Sequence, residues 1–180
     1  VDAIEKIRFM PGVFNALADL RRAGFRLVMV TNQDGLGTES FPQAAFDRPH
    51  QFMMDVFSSQ VIEFDAVFVC PHRKADGCTC RKPSTALVAD FVRDGNVDLT
   101  RSAMVGDRDT DLTFAQNLGI RGLRVRRFGK PEETWPAIAR ELTARRAQSQ
   151  RVTKETNINV RVDLDATAPI QVSTGIGFFD

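Results

Sequence analysis

Hydrophobic residues in this chain fall into short continuous runs, separated by longer stretches in which apolar positions recur every three or four residues. The runs at 25–30 (FRLVMV), 66–69 (AVFV) and 102–105 (SAMV) have the length of strands buried on both faces, and 122–125 reads as a further short strand. Between them the period is helical. Pro11 opens a segment whose inner positions are Val13, Phe14, Leu17 and Leu20, closed by Ala23-Gly24. Residues 42–57 offer Phe46, Met53, Met54 and Phe57 to a core, and the stretch after Pro83 offers Leu87, Val88, Phe91 and Val92. A helix from about 111 to 118 stops at Gly119, and 131–146 carries Trp135, Ile138 and Leu142 on one side. Strands alternating with helices predict an α/β fold with a mainly parallel sheet.

The pattern changes after residue 146. Residues 147–152 read as a polar linker, and Ile158, Val160, Val162 and Leu164 then alternate with polar residues as in a half-buried strand. Residues 153–180 are therefore expected to begin a second domain, with 1–146 as the first.

Composition narrows the class only a little. The chain has 180 residues, 43% hydrophobic and 26% charged, enough for one ordinary core. A formal net charge of +1 gives no reason to expect a nucleic-acid partner; the arginines at 121–127 and 140–151 suit an edge strand and a solvated helix. No apolar run reaches the roughly 18 residues of a membrane span, so no membrane partner is expected. Clustered thiols fit a reducing cytoplasm.

All three cysteines, Cys70, Cys78 and Cys80, lie with His72 in the stretch CPHRKADGCTCRKP. Three thiolates and an imidazole make a complete tetrahedral set for Zn2+, and Gly77 lets the segment fold back. The alternative is a disulfide plus a spare thiol, which an odd count and the closeness of Cys78 to Cys80 disfavour. A site filled by four protein ligands has no open position for substrate, so this zinc is expected to be structural.

The chemistry is expected at the carboxyl ends of the strands, where open parallel sheets bind ligands. One run ends in Thr31 and Asn32, donors for phosphate oxygens. A second leads through the cysteine loop to Lys82, a charge able to offset a transferring phosphoryl group. A third ends in Gly106-Asp107, followed by Asp109 and Asp111; carboxylates there suit Mg2+. Each group alone has a plainer explanation: a turn, a solvated charge, or acidic residues in the first turn of a helix. Their order at successive strand ends is more specific than any one of them.

In LVMVTNQDGLGT (27–38), the cysteine loop and VGDRDTDL (105–112), the chain resembles the haloacid dehalogenase-like phosphatases. Within them it is most similar to the histidinol-phosphate phosphatase domains of bifunctional bacterial histidine-biosynthesis enzymes. TKETNINVRVDLD (153–165) and STGIGFFD (173–180) resemble the opening of imidazoleglycerol-phosphate dehydratase, an α+β domain. The resemblance implies a Rossmann-like fold and hydrolysis of a phosphomonoester, histidinol phosphate, through an aspartyl-phosphate with Mg2+ bound. It implies that Thr31 and Asn32 hold the phosphate, that Lys82 stabilises its charge, and that Asp107 ligates Mg2+ with Asp111 second. Cys70, His72, Cys78 and Cys80 match the family's zinc loop and would place Lys82. A parent protein of this kind is expected to form a homo-oligomer through its dehydratase domain.

The family's nucleophile lies in an Asp-x-Asp motif on its first strand, and residues 1–10 contain none. Asp107-Arg108-Asp109 already serves as the last motif, and Asp163-Leu164-Asp165 falls in the dehydratase-like tail. The chain is therefore expected to be a fragment inactive in both reactions, with Glu155 a candidate dehydratase contact. Two other readings remain: a sugar-phosphate phosphatase of the same superfamily, and a zinc-stapled phosphate-binding module without catalysis.

Overall fold

The computed structural model describes residues 2–165, and these divide into two units at the boundary between 142 and 143. In the first unit, helix α1 (Val13–Arg22) begins at Gly12, whose backbone is left-handed (φ 73°), and turns Val13, Ala16, Leu17 and Leu20 inward. Strand β1 (Val28–Asn32) follows, then α2 (Gln43–Ser59) and strand β2 (Ala66–Cys70). A 3-10 turn and a short helix α3 (Ala89–Asp94) lead to β3 (Ala103–Gly106), α4 (Asp109–Leu118), β4 (Arg121–Arg124) and α5 (Trp135–Thr143). Gly119 ends α4 in the left-handed conformation, as its position after the apolar stripe predicts.

Two expectations shift in ways that matter for the site. The first strand starts later and runs on through Thr31 and Asn32, because their backbones continue the parallel ladder opposite Val69 and Cys70. The helix expected from Pro83 begins only after a turn in which Ser84 N–H bonds the Arg81 carbonyl and Val88 N–H bonds that of Thr85. Pro83, joined to Lys82 by a cis peptide, thus belongs to the loop that presents Lys82.

The core under this face is aromatic. Phe57, 5% exposed, has its ring centroid 5.4 Å from Phe9 and from Phe14 and 5.3 Å from Phe64. Val13, Leu17, Leu20, Leu27 and Ile62 pack into the same cluster. A buried ring contacting three others cannot be replaced by a neighbour's shift.

The parallel sheet is divided. β1 pairs with β2, and β3 pairs with β4, but among the described residues no ladder joins β1 to β3. Between them lies a cleft of about 540 Å³ lined by Val28 and Val30 on one side, Ala103 and Met104 on the other, and Phe91 and Phe114 from the helices. Leu27 and Cys70 accept ladder-end bonds on the β1–β2 side, and Ser102 and Gly106 accept them on the β3–β4 side. In a parallel strand alternate residues bond to opposite neighbours, so Val28 and Val30, and Ala103 and Val105, direct their N–H and C=O groups at the cleft.

In the second unit, β5 (Arg146–Val152) pairs antiparallel with β6 (Asn157–Asp163). The residues expected as a linker are therefore strand, because the alternating segment finds its partner in them. Ile158, Val160 and Val162 share one face and are exposed. The expected motif at 173–180 lies outside the described residues. No helix among the described residues is long and apolar enough to cross a membrane.

Replacing Phe57 with Ala is expected to destabilise the first unit by about 3–5 kcal/mol, the usual cost of deleting a buried ring. Urea denaturation followed by circular dichroism measures it, and a loss under 1 kcal/mol would contradict the packing described.

Candidate functional site

Parallel pairing brings the ends of β1 and β2 level, with Asn32 opposite Cys70. The chain beyond each strand is tied across: Gln33 N–H donates to the Cys70 carbonyl (2.8 Å), and Gly35 and Leu36 N–H donate to that of Pro71 (2.8 and 3.2 Å). Arg81 adds a two-pronged ion pair to Asp34 (2.5 and 3.1 Å) and a hydrogen bond to the His72 carbonyl (2.9 Å). Gly35 has a left-handed backbone (φ 75°), and a Cβ there would stand 2.8 Å from the Arg73 guanidinium that covers it. The cysteine loop and the loop after β1 thus form one body.

Within that body the four expected ligands converge. Cys70 Sγ lies 3.3 Å from Cys80 Sγ and 3.7 Å from both Cys78 Sγ and His72 Nδ1, while His72 Nδ1 lies 3.1 Å from Cys80 Sγ. All four ligand atoms fall within 4.8 Å of one another. Tetrahedral zinc with bonds near 2.3 Å to sulfur holds its thiolates about 3.7 Å apart, so the cage has the right size. The three cysteines are free thiols, which removes the disulfide alternative. Burial first, then the neighbouring Cys80 thiol, pushes the Cys70 thiol up to about 12.

Lys82 leaves this body pointing inward. Its Nζ donates to the Val30 carbonyl at 2.6 Å, one of the groups that β1 directs at the cleft. The same ammonium lies 2.7 Å from Asp111 Oδ1, with the two side chains 10% and 6% exposed. Asp111 Oδ1 meets no partner at hydrogen-bonding angles, so the contact is an ion pair with lone pairs to spare. Its other oxygen accepts the Arg108 N–H (3.1 Å) at the start of α4. Gly106 makes room: a Cβ there would meet the Asp111 carboxyl at 2.3–2.4 Å.

The remaining expected residues divide. Thr31 Oγ1 accepts from Gln33 Nε2 (2.8 Å), which leaves the hydroxyl hydrogen free to donate to a ligand. Asn32, expected on a phosphate, instead turns its amide to the Lys82 backbone, accepting from its N–H (3.0 Å) and donating to its carbonyl (3.2 Å). The acidic run does not gather into one metal set. Asp109 pairs with Arg124, Asp111 pairs with Lys82, and the exposed Asp107 carboxylate has no protein partner among the described residues. Arg124 also donates to the Asp107 carbonyl (2.8 Å), which fixes the loop but leaves that side chain open. Arg81, Asp34, Gln33 and Arg124 were not singled out in the sequence. Only their adjacency to the motifs marks them, since pairing across 47 positions has no local signature.

The parallel α/β frame carries a hydroxyl and a buried lysine–carboxylate pair near its strand ends, and the chain belongs to the haloacid dehalogenase-like hydrolases. Residues 79–142 match the HAD-hydrolase-like family. Over its full length the chain is similar to the "Histidine biosynthesis bifunctional protein HisB" of Baumannia cicadellinicola subsp. Homalodisca coagulata (52% identity) and of Xanthomonas oryzae pv. oryzae strain PXO99A (50%), spanning 50% and 49% of those proteins. It thus spans about half the length of these curated relatives. Among solved structures it is similar to D,D-heptose 1,7-bisphosphate phosphatase from B. bronchiseptica, complexed with magnesium and phosphate. The TM-score is 0.68 at 32% identity, covering 79% of this chain and 87% of that one.

Gly106→Ala is expected to force Asp111 away from Lys82 and to destabilise the chain by about 1–3 kcal/mol, the usual cost of overpacking. Equilibrium unfolding reads it, and an unchanged midpoint would show that the Gly106 contact does not constrain the pair.

Proposed function

We propose that this chain carries most of a histidinol-phosphate phosphatase and the opening of a dehydratase acting on imidazoleglycerol phosphate. The observation that carries the phosphatase reading is the buried Lys82–Asp111 pair, together with the open Thr31 hydroxyl at the carboxyl end of β1. The choice of substrate rests on full-length similarity to the histidine-biosynthesis proteins.

Thr31 donates to a phosphate oxygen, and Lys82 balances the charge that develops on the phosphoryl group in a site shielded from water. Asp111, 2.7 Å away, holds the ammonium in place. Mg2+ suits Asp107, a hard carboxylate just after β3 with no protein partner among the described residues, with Asp111 as the second candidate; bound there, it would neutralise phosphate charge. The attacking aspartate is expected on a further strand between β1 and β3, which no ladder joins among the described residues. The internal alternatives are otherwise engaged: Asp163 pairs with Arg146 and Asp165 with Arg145 in the hairpin. Zn2+ in the cage of Cys70, His72, Cys78 and Cys80 staples the loop that ends in Lys82.

A sugar-phosphate substrate is the second reading, since the chain is also similar to the heptose bisphosphate phosphatase. Assay of the full-length protein for phosphate release separates the two, with histidinol phosphate expected as the better substrate by kcat/KM. Lys82→Met is expected to lower kcat/KM on it by at least about 10²-fold, the scale of losing one oxyanion-stabilising group. Release from the heptose bisphosphate alone would move the assignment to the second reading. Release from neither would leave the non-catalytic module.

Metal analysis of the purified chain is expected to find one zinc per chain, lost in Cys78→Ser and in Cys80→Ser. A chelator that strips it is expected to lower the melting temperature, and more readily at low pH, because the ligands must give up protons to bind. A metal-free chain with an unchanged melt on added zinc would refute the structural site.

A further inference from the structure

We propose that Asn32 is a positioning residue for Lys82 and not a phosphate ligand, an inference that rests on the phosphatase reading above. Its side chain closes a ring with the backbone of a residue fifty positions away. Oδ1 accepts the Lys82 N–H at 3.0 Å and Nδ2 donates to the Lys82 carbonyl at 3.2 Å. Only one orientation of the amide satisfies both bonds, because oxygen can only accept and the amide nitrogen can only donate.

The value of the ring lies in what it anchors. A lysine ammonium rides on a flexible four-carbon stem, so its location depends on where the backbone is held and on what the charge meets. Asn32 is itself rigid, being the last residue of β1 and paired in the ladder with Cys70. The ring therefore fixes the root of the Lys82 side chain to the strand whose Val30 carbonyl receives its tip at 2.6 Å. Cys80, two residues upstream, belongs to the thiol cage, so the Lys82 backbone is held on one side by the cage and on the other by Asn32.

No other standard side chain of this length reproduces the ring. Aspartate keeps the acceptor for the N–H but sets a second oxygen against the Lys82 carbonyl, and alanine removes both bonds. Misplacing a catalytic group by about 1 Å can lower a rate by about 10²-fold, which sets the size of the expected effect.

A double-mutant cycle on kcat/KM in the full-length protein, with histidinol phosphate as substrate, tests the proposal. Asn32→Ala is expected to lose about 10- to 100-fold in the wild-type background but less than about 2-fold in the Lys82→Met background, where no ammonium is left to place. The Lys82 amide is expected to exchange its hydrogen faster in Asn32→Ala, while amides of β2 keep their protection. Equal fold losses in both backgrounds would mean that Asn32 contacts substrate directly, and would overturn the proposal. If Lys82→Met keeps full activity or does not fold, hydrogen exchange decides: an unchanged rate at the Lys82 amide in Asn32→Ala overturns it. Full activity of Lys82→Met would separately refute the role given to Lys82 itself.

Discussion

The ion pair of Lys82 with Asp111 is the contact on which this fold and its site depend together. Two charges with 10% and 6% of their side-chain surface exposed gain little net stability from each other, because desolvation opposes the attraction. Losing one partner is another matter, since an uncompensated buried charge costs about 3–5 kcal/mol. The pair is thus better understood as a constraint on position than as a source of stability. Lys82 must lie where Asp111 is, and Gly106 keeps Asp111 there by offering no side chain.

That constraint ties together parts the backbone leaves separate. β1 and β2 form one parallel pair and β3 and β4 another, with no ladder between the two among the described residues. Lys82 touches both, through the Val30 carbonyl of β1 and through Asp111 at the start of α4, which follows β3. The next residue adds a second tie, where Asn117 of α4 donates to the Pro83 carbonyl at 2.9 Å. The cysteine loop therefore does more than wall the site. It ties the two strand pairs to each other through Lys82 and Pro83.

Local patterns carried most of the frame. The buried runs, the glycine stop after α4 and the close spacing of Cys70, His72, Cys78 and Cys80 each state their structure within a few residues, because periodicity and ligand spacing are local quantities. What the sequence leaves undistinguished has a cause that is not local. Asn32 and Thr31 both follow an apolar run and look like equivalent phosphate donors, yet the amide turns to Lys82 and the hydroxyl stays open. That difference depends on where a loop fifty residues on returns. In the same way Asp107, Asp109 and Asp111 read as one acidic cluster, and the structure separates them by giving Asp109 to Arg124 and Asp111 to Lys82. Residues 147–152 read as linker because their partner strand lies after them, and polar residues on an exposed hairpin leave no apolar alternation to see.

The separation of the acidic run bears on how charge is arranged around a phosphate. Three carboxylates left free at one strand end would repel a dianion as well as attract a cation. Arg124 takes one and Lys82 takes another, which leaves the Asp107 carboxylate without a protein partner among the described residues. A lone carboxylate with an adjacent, already compensated one suits a hydrated divalent cation that keeps room for phosphate oxygens, since Mg2+ takes one or two carboxylates and fills its shell with water and substrate. The contribution of the cysteine loop is mechanical: together with Asn32 it holds the backbone from which Lys82 reaches.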